Sequence, residues 1–297
     1  MEDINDKYIS LVAHDAGAAS HILAWIKSGM LRIDKCKFCF KGPAAKLLKV
    51  QLPNIELLSL EDVLVDTETL LSGTGWASSL EYNARLIAKK RNIYSIAVID
   101  HWVNYKERFE RDQLEILPDI IWVLDNYAYE KAKRCFPDIK VIEKRNDYLK
   151  FQVEEILSYK FDKKKMVTNI LYVLEPIRDS WAGKSISGEF QALDFFFNSF
   201  FKLNFGRKFS IILKPHPSDS ENKYDDWVRN SKISNIYIEK KKSLANLLAW
   251  SDVVVGCETY AMVLALAVNK RVISSLPNHA HTCRLPYKRI ERLNHLS

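Results

Sequence analysis

The segment SIILKPHPSDS, Ser210 to Ser220, holds His216 between two prolines where an apolar run stops. Pro215 and Pro217 each fix φ near about −65° and remove a backbone donor. Pro217 also drives His216 toward extended backbone. An imidazole on so stiff a mount can present one nitrogen to a ligand. It can equally be an incidental polar residue in a turn leaving a sheet. Lys214 beside it adds charge or points to the opposite face. Further on, DVVVGCETYAMV sets Gly256 at a strand end and Thr259 at a helix start. Backbone N–H groups there form an anion site, with the Thr259 hydroxyl as helix cap and added donor. Glu258 between them suits ribose hydroxyls better than phosphate.

Three segments of the first half have the same form. VAHDAGAASH ends an apolar run with His14 and Asp15 and continues with Gly17 and other small residues. Asp15 is either a general base toward a substrate hydroxyl or the N-cap of the next helix. LSGTGWASS offers Ser72, Gly73, Thr74 and Gly75, which form neither a full GxGxxG nor a P-loop. Its glycines serve a tight turn, or let a sugar or phosphate approach bare backbone. VIDHWVNYKERF supplies Asp100, His101, Trp102, Asn104, Tyr105 and Arg108. There Asp100 orients His101 or closes a turn, and the aromatic residues can stack on an acceptor ring. LEPIRDSW adds Arg178 to the vicinity of a phosphate or acceptor. No nucleophile elbow with a Ser-His-Asp order appears, and no acid-histidine spacing argues for a metal.

Alternating short strands and helices must position these residues. YISLVAHD, CKFCFKG, IELLSL, TLLSGTG, YSIAVID, DIIWVLDN and IKVIEK read as strands in the first half. NILYVLEP, FSIILKPHP, NIYIEK, DVVVGCE and KRVISSLP read as strands in the second. Amphipathic segments such as SSLEYNARLIAKKRN and SGEFQALDFFFNSFFKL separate them. Near-continuous apolar strands alternating with helices indicate parallel sheets covered on both faces. The expected fold is α/β: two Rossmann-like domains, 1–158 and 159–297, facing across a cleft. SYKFDKKKMV is the candidate linker, and LPYKRIERLNHL reads as a terminal helix returning to the first domain. Ligands of open α/β sheets bind outside the carboxyl ends of strands, which selects the six polar segments above.

Composition sets the outer limits. Hydrophobic residues make up 47% and aromatic residues 11%, which excludes disorder. The sequence MEDINDKYIS lacks the order of a signal peptide, and no apolar run reaches the length of a membrane span. Cys36 and Cys39 form a CxxC without a second pair, so the five cysteines read as reduced thiols of a cytoplasmic protein. The net charge of +7, with runs at Lys163–Lys165 and Lys240–Lys242, favours anionic ligands. No nucleic-acid motif is present. A cytoplasmic enzyme with anionic substrates is expected, with peripheral attachment to the inner face of the plasma membrane left open.

SIILKPHPSD followed by LAWSDVVVGCETYAMVLALAVNKRVI resembles the C-terminal domain of GT-B glycosyltransferases. Within them it is most similar to bacterial enzymes using CMP-activated acidic sugars, the sialyltransferase-like and Kdo-transferase-like groups. The likeness implies that His216 and Pro217 contact the CMP portion and that Thr259 holds its phosphate. Glu258 stands where those groups often carry a second serine. Their base lies in an Asp/Glu-Asp/Glu-Gly motif, which this chain reduces to HDAG; the role carries to Asp15, with Asp100 and His101 at the acceptor. CDP-glycerol-type phosphotransferases share Lys-x-His-Pro, so the motif points to cytidine nucleotides more than to one sugar. The resemblance implies a metal-independent, inverting transfer of a sialic, nonulosonic or Kdo-type sugar to a surface glycan, without a cofactor. His216, neutral or protonated, would donate to the leaving phosphate, and a neighbouring anion would raise its pKa. A UDP-sugar 2-epimerase, a nucleotide-sugar hydrolase and a non-catalytic sugar-nucleotide-binding subunit are the alternatives on the same architecture.

Overall fold

The computed structural model describes residues 7–76, 78–161, 167–183, 185–206, 208–231 and 233–296. The chain divides into two compact units, Met1–Phe151 and Gln152–Ser297. The division falls inside the helix Asp147–Ser158, at whose end the sequence reading sets it. The lysines Lys163–Lys165 of the expected linker lie outside the described residues.

The first unit runs β1 (Ile9–Ala13), α1 (Ala16–Lys27), β2 (Cys36–Phe40), α2 (Gly42–Gln51), α3 (Leu60–Val63), β3 (Thr69–Ser72), α4 (Leu80–Arg91) and β4 (Tyr94–Val98). A short hairpin of β5 (Glu110–Arg111) and β6 (Leu114–Glu115) follows, then β7 (Ile120–Val123), α5 (Asn126–Cys135), β8 (Lys140–Glu143) and α6 (Asp147–Ser158). Six strands pair in the order β2-β1-β3-β4-β7-β8, every pair parallel. Every residue of β1 is buried, as a strand covered on both faces requires. Leu11, Phe38, Leu71, Trp25 and Trp122 fill one face, and Val12, Cys39, Leu70, Ala84 and Ala88 the other. Cys36 packs toward the first of these clusters and Cys39 within the second. Three steps along a strand reverse the face, so the CxxC cannot converge on a metal.

Two segments differ from the sequence reading. IELLSL is not a strand: Leu58 N–H makes a single bond to the Phe38 carbonyl, and Ser59 then caps α3 through Asp62 N–H. The terminal LPYKRIERLNHL is not a long helix. Ile290–Arg292 form β14, which pairs with β13 (Arg271–Ser274) in the sheet of the second unit, and only Leu293–Leu296 are helical, as α11. Ile290 and Leu293 are buried, and a paired edge strand satisfies backbone groups that an isolated short helix would leave open.

The second unit contains β9 (Thr168–Val173), α7 (Gly188–Ser199), β10 (Phe209–Lys214), α8 (Asp225–Asn230), β11 (Ile236–Ile238), α9 (Leu244–Trp250), β12 (Val253–Gly256) and α10 (Tyr260–Ala267) before β13. Its six strands are parallel in the order β11-β10-β9-β12-β13-β14. Phe196 of α7 is buried among Tyr172, Phe200 and Phe205, which accounts for the aromatic face of that helix. In each six-stranded sheet all strands run the same way, so all carboxyl ends share one edge. Among the described residues no helix is long and apolar enough to cross a membrane.

Candidate functional site

On the second unit, β10 delivers Lys214 and the KPHP turn to the carboxyl edge. Lys214 Nζ donates to the carbonyls of Lys240 and Lys242, at 2.9 and 2.8 Å. It faces that loop instead of supplying charge to a ligand. The turn itself is anchored by Asp219. Its carboxylate accepts from His216 N–H at 3.1 Å, from Tyr224 OH at 3.1 Å and from Lys223 Nζ at 2.8 Å. Burial pushes the Asp219 carboxyl up, but the bond and charge of Lys223 together with the bonds from His216 N–H and Tyr224 outweigh it and hold the group below the usual carboxylate range.

The imidazole of His216 is held in one tautomer. Its Nδ1 accepts from Ser218 N–H at 3.2 Å and lies 2.8 Å from Ser218 Oγ. A backbone N–H can only donate, so Nδ1 is unprotonated and the neutral ring carries its hydrogen on Nε2. The pKa lies below the ordinary 6.5, chiefly through burial, with Arg178 and Lys223 adding to the effect and Asp219 opposing it. The sequence reading expects the neighbouring anion to raise it; burial and two cations prevail. Pro217 next to it is exposed. Arg178 donates to the carbonyl and hydroxyl of Ser218, both at 3.3 Å, which brings a guanidinium to the same turn.

The strand end of β12 differs from expectation in one respect. Gly256 is tightly enclosed, since a Cβ there would stand 3.2 Å from Thr259 Cγ2 and 3.3 Å from Met262 Sδ. Thr259 caps α10 by accepting from Ala261 N–H at 3.3 Å. The amides ahead of the helix, however, already hold an anion. Glu175, just past β9, accepts from Cys257 N–H at 2.7 Å and Glu258 N–H at 2.9 Å. Burial nevertheless pushes its pKa up to about 7. Glu258 is engaged as well: both its oxygens accept from Arg284, and one lies 2.9 Å from His281 Nε2. It is therefore not a free acceptor for ribose hydroxyls. The Glu175 contact spans 82 residues of sequence, and no local pattern announces it.

On the first unit, Asp15 occupies the N-cap position of α1 without a side-chain cap bond. Its Oδ1 lies 2.8 Å from His14 Nδ1, and its side chain is 34% exposed. A side chain at Gly75 would place Cβ 2.1 Å from Asp15 Oδ2, so any larger residue there would displace the Asp15 carboxylate. The His14 N–H donates to Glu81 at 2.9 Å. Glu81, on α4, is fully buried, its Oε2 has no hydrogen-bond partner among the described residues, and burial raises its pKa, an effect that the charge on Asp15 reinforces. It lies against Gly73, where a Cβ would stand 2.8 Å from its Oε1. Sequence reasoning missed Glu81 and Arg85, although their spacing with Ala84 and Ala88 places both on the buried stripe of the helix.

Asp100 has the opposite environment. Arg108, itself buried, donates to Asp100 Oδ1 at 2.8 Å and to Thr74 Oγ1 at 2.9 Å. Burial raises the Asp100 pKa, and Arg108 with His21 and His101 outweighs this and lowers it. A Cβ at Gly17 would meet Asp100 Oδ2 at 1.8 Å, so α1 packs directly on this carboxylate. Ser72 and Thr74 are likewise committed inward, Ser72 to Arg85 at 3.2 Å and Thr74 to the Val98 carbonyl at 2.8 Å. His101 packs on Trp102 with ring centroids 5.3 Å apart. Trp102 and Tyr105, expected to stack on an acceptor, are buried; Trp102 donates to Asp125 at 2.9 Å. Asp15, His14, Gly73, Thr74, Gly75 and Asp100 thus meet at one sheet edge, and among the described residues Asp100 has an arginine partner and Asp15 has none.

No family model matches the chain, and no curated protein does. Solved structures match along most of its length. The UDP-GlcNAc 2-epimerase of Neisseria meningitidis, bound to UDP-GlcNAc, aligns at a TM-score of 0.61 with 12% identity over 94% of this chain and 84% of that one. The glycosyltransferase of kitacinnamycin aligns at 0.55 with 11% identity, covering 96% and 86%. The GT-B domain of the sialyltransferase of Photobacterium damselae aligns at 0.52 with 10% identity, covering 97% and 96%. The two-domain Rossmann-like fold is GT-B.

Proposed function

We propose that the chain is a glycosyltransferase that transfers an acidic sugar from a CMP-activated donor to a glycan hydroxyl. The observation that carries the reading is His216, a ring whose Nδ1 is bonded within a proline-stiffened turn, leaving Nε2–H as its donor, with a guanidinium bonded to the same turn. That pair suits a phosphate: Nε2–H donates one hydrogen bond and Arg178 supplies the charge. Because Glu175 fills the amides ahead of α10, the phosphate role passes from Gly256 and Thr259 to this pair. In the reaction the bond between the sugar carbon and the phosphate oxygen breaks, and its electrons leave on CMP, stabilised by His216 and Arg178. The acceptor oxygen forms the new bond and gives its proton to Asp15, a partly exposed carboxylate oriented by His14.

The epimerase reading takes support from a different source, the UDP-GlcNAc bound to one of the structural neighbours. A thermal-shift screen with CMP, CDP, UDP, GDP and ADP separates the two, because a bound ligand raises apparent stability. A shift with CMP and CDP above the others fits the transferase. A shift confined to UDP, with UDP-sugar turnover in the absence of any acceptor, replaces it with the epimerase.

A further inference from the structure

Three arginines bind residues 72–75 at the end of β3 and Ser78 ahead of α4. Arg85 donates to Ser72 Oγ at 3.2 Å and to the Gly73 carbonyl at 2.9 Å. Arg108 donates to Thr74 Oγ1 at 2.9 Å. Arg111 donates to the carbonyls of Gly75 and Ser78 at 3.1 and 3.4 Å. Between these anchored residues stands Trp76, 50% exposed. The Arg108 guanidinium lies over its ring, 4.9 Å from the centroid, and fixes the indole against one partner. The preceding residue, Gly75, lies against Asp15 Oδ2.

A half-exposed apolar ring with a guanidinium over it, next in the chain to the glycine that lies against the Asp15 carboxylate, does not suit an apolar protein partner. It suits a pyranose, which offers a C–H face to the indole and hydroxyls to its surroundings. We propose that Trp76 is the stacking wall of a subsite for a neutral pyranose, the terminal sugar of the acceptor, beside Asp15. This rests on the transferase reading and moves the stacking role from the buried Trp102 and Tyr105 to Trp76. A pre-ordered platform suits weak ligands such as sugars, because little side-chain entropy is lost on binding.

Saturation-transfer NMR on the full chain tests it, with methyl β-glucopyranoside and methyl β-galactopyranoside as probes and CMP as a separate ligand. The expected result is transfer to the C–H protons of at least one glycoside. Trp76→Ala should weaken that binding roughly five- to ten-fold and Trp76→Phe should retain most of it. Circular dichroism and CMP binding check that both variants fold. Glycoside binding unchanged in Trp76→Ala overturns the subsite. So does a wild type that binds CMP and neither glycoside, an outcome that leaves the donor reading standing. Glycoside binding that depends on Trp76 without any nucleotide binding keeps the subsite and overturns the donor reading.

Discussion

Replacing Glu175 by glutamine isolates the cost of a buried charge. An ordinary glutamate exchanges its proton near 4.5, whereas this one does so at about 7, because burial outweighs the N–H bonds from Glu258 and Cys257. At ~1.4 kcal/mol for each tenfold change in proton affinity, keeping the charged form in the fold costs about 3 kcal/mol. The sign follows from proton counts. Between these two values the folded state holds more protons than the unfolded one, so stability falls as pH rises. Below the lower value both states are protonated and the cost vanishes; above about 7 it is complete. Glutamine keeps an oxygen to accept from Cys257 and Glu258 and cannot ionise. Urea unfolding of both proteins at about pH 5 and about pH 8 should show the wild type losing about 2 to 3 kcal/mol relative to the variant. Parallel losses in the two proteins would refute the reasoning and mean that the helix amides fully compensate the charge.

Three further substitutions probe the proposed chemistry. His216→Ala should weaken CMP binding about tenfold in calorimetry, the loss of one hydrogen bond to a charged group. Because the ring donates as a neutral group, with its pKa below 6.5, wild-type affinity should stay level between about pH 7 and about pH 8. Asp15→Asn should bind CMP as the wild type does and lose about 10²- to 10⁴-fold in turnover; full turnover there, with loss in Asp100→Asn, reverses the assignment. Arg108→Met strands the Asp100 carboxylate in the interior and should cost about 3 kcal/mol in unfolding, most of which the added Asp100→Asn should restore.

The strands were legible because a parallel sheet covered on both faces demands unbroken apolar runs such as ISLVA and VVVG, and each such run stops where the chain turns polar. Those stops marked His14, Gly73, Asp100, His216 and Gly256 as residues of the two carboxyl edges. IELLSL misled because an apolar run can also lie beside a sheet with one bond to it, as Leu58 does. The C-terminal strand β14 escaped because its residues, Ile-Glu-Arg, carry charges that read as helix surface and serve here at a sheet edge, where Glu291 pairs with Arg271.

Position was legible where role was not, and the two aspartates show why. Asp15 and Asp100 both follow apolar strands, and both lie against a glycine, Gly75 and Gly17 respectively. What separates them is a third party. Arg108, itself buried, folds back eight residues to the half-buried Asp100 and stabilises its ionised form, so that carboxylate resists taking up a proton. Asp15 has only an imidazole on one oxygen, and near it Glu81 raises the local density of negative charge when ionised. A base must be reached by the hydroxyl it serves, and the Asp15 side chain is 34% exposed against 17% for Asp100. By that criterion the strand ends narrow the choice to two residues, and the arginine on Asp100 favours Asp15 as the proposed base, with Asp15→Asn and Asp100→Asn as the test.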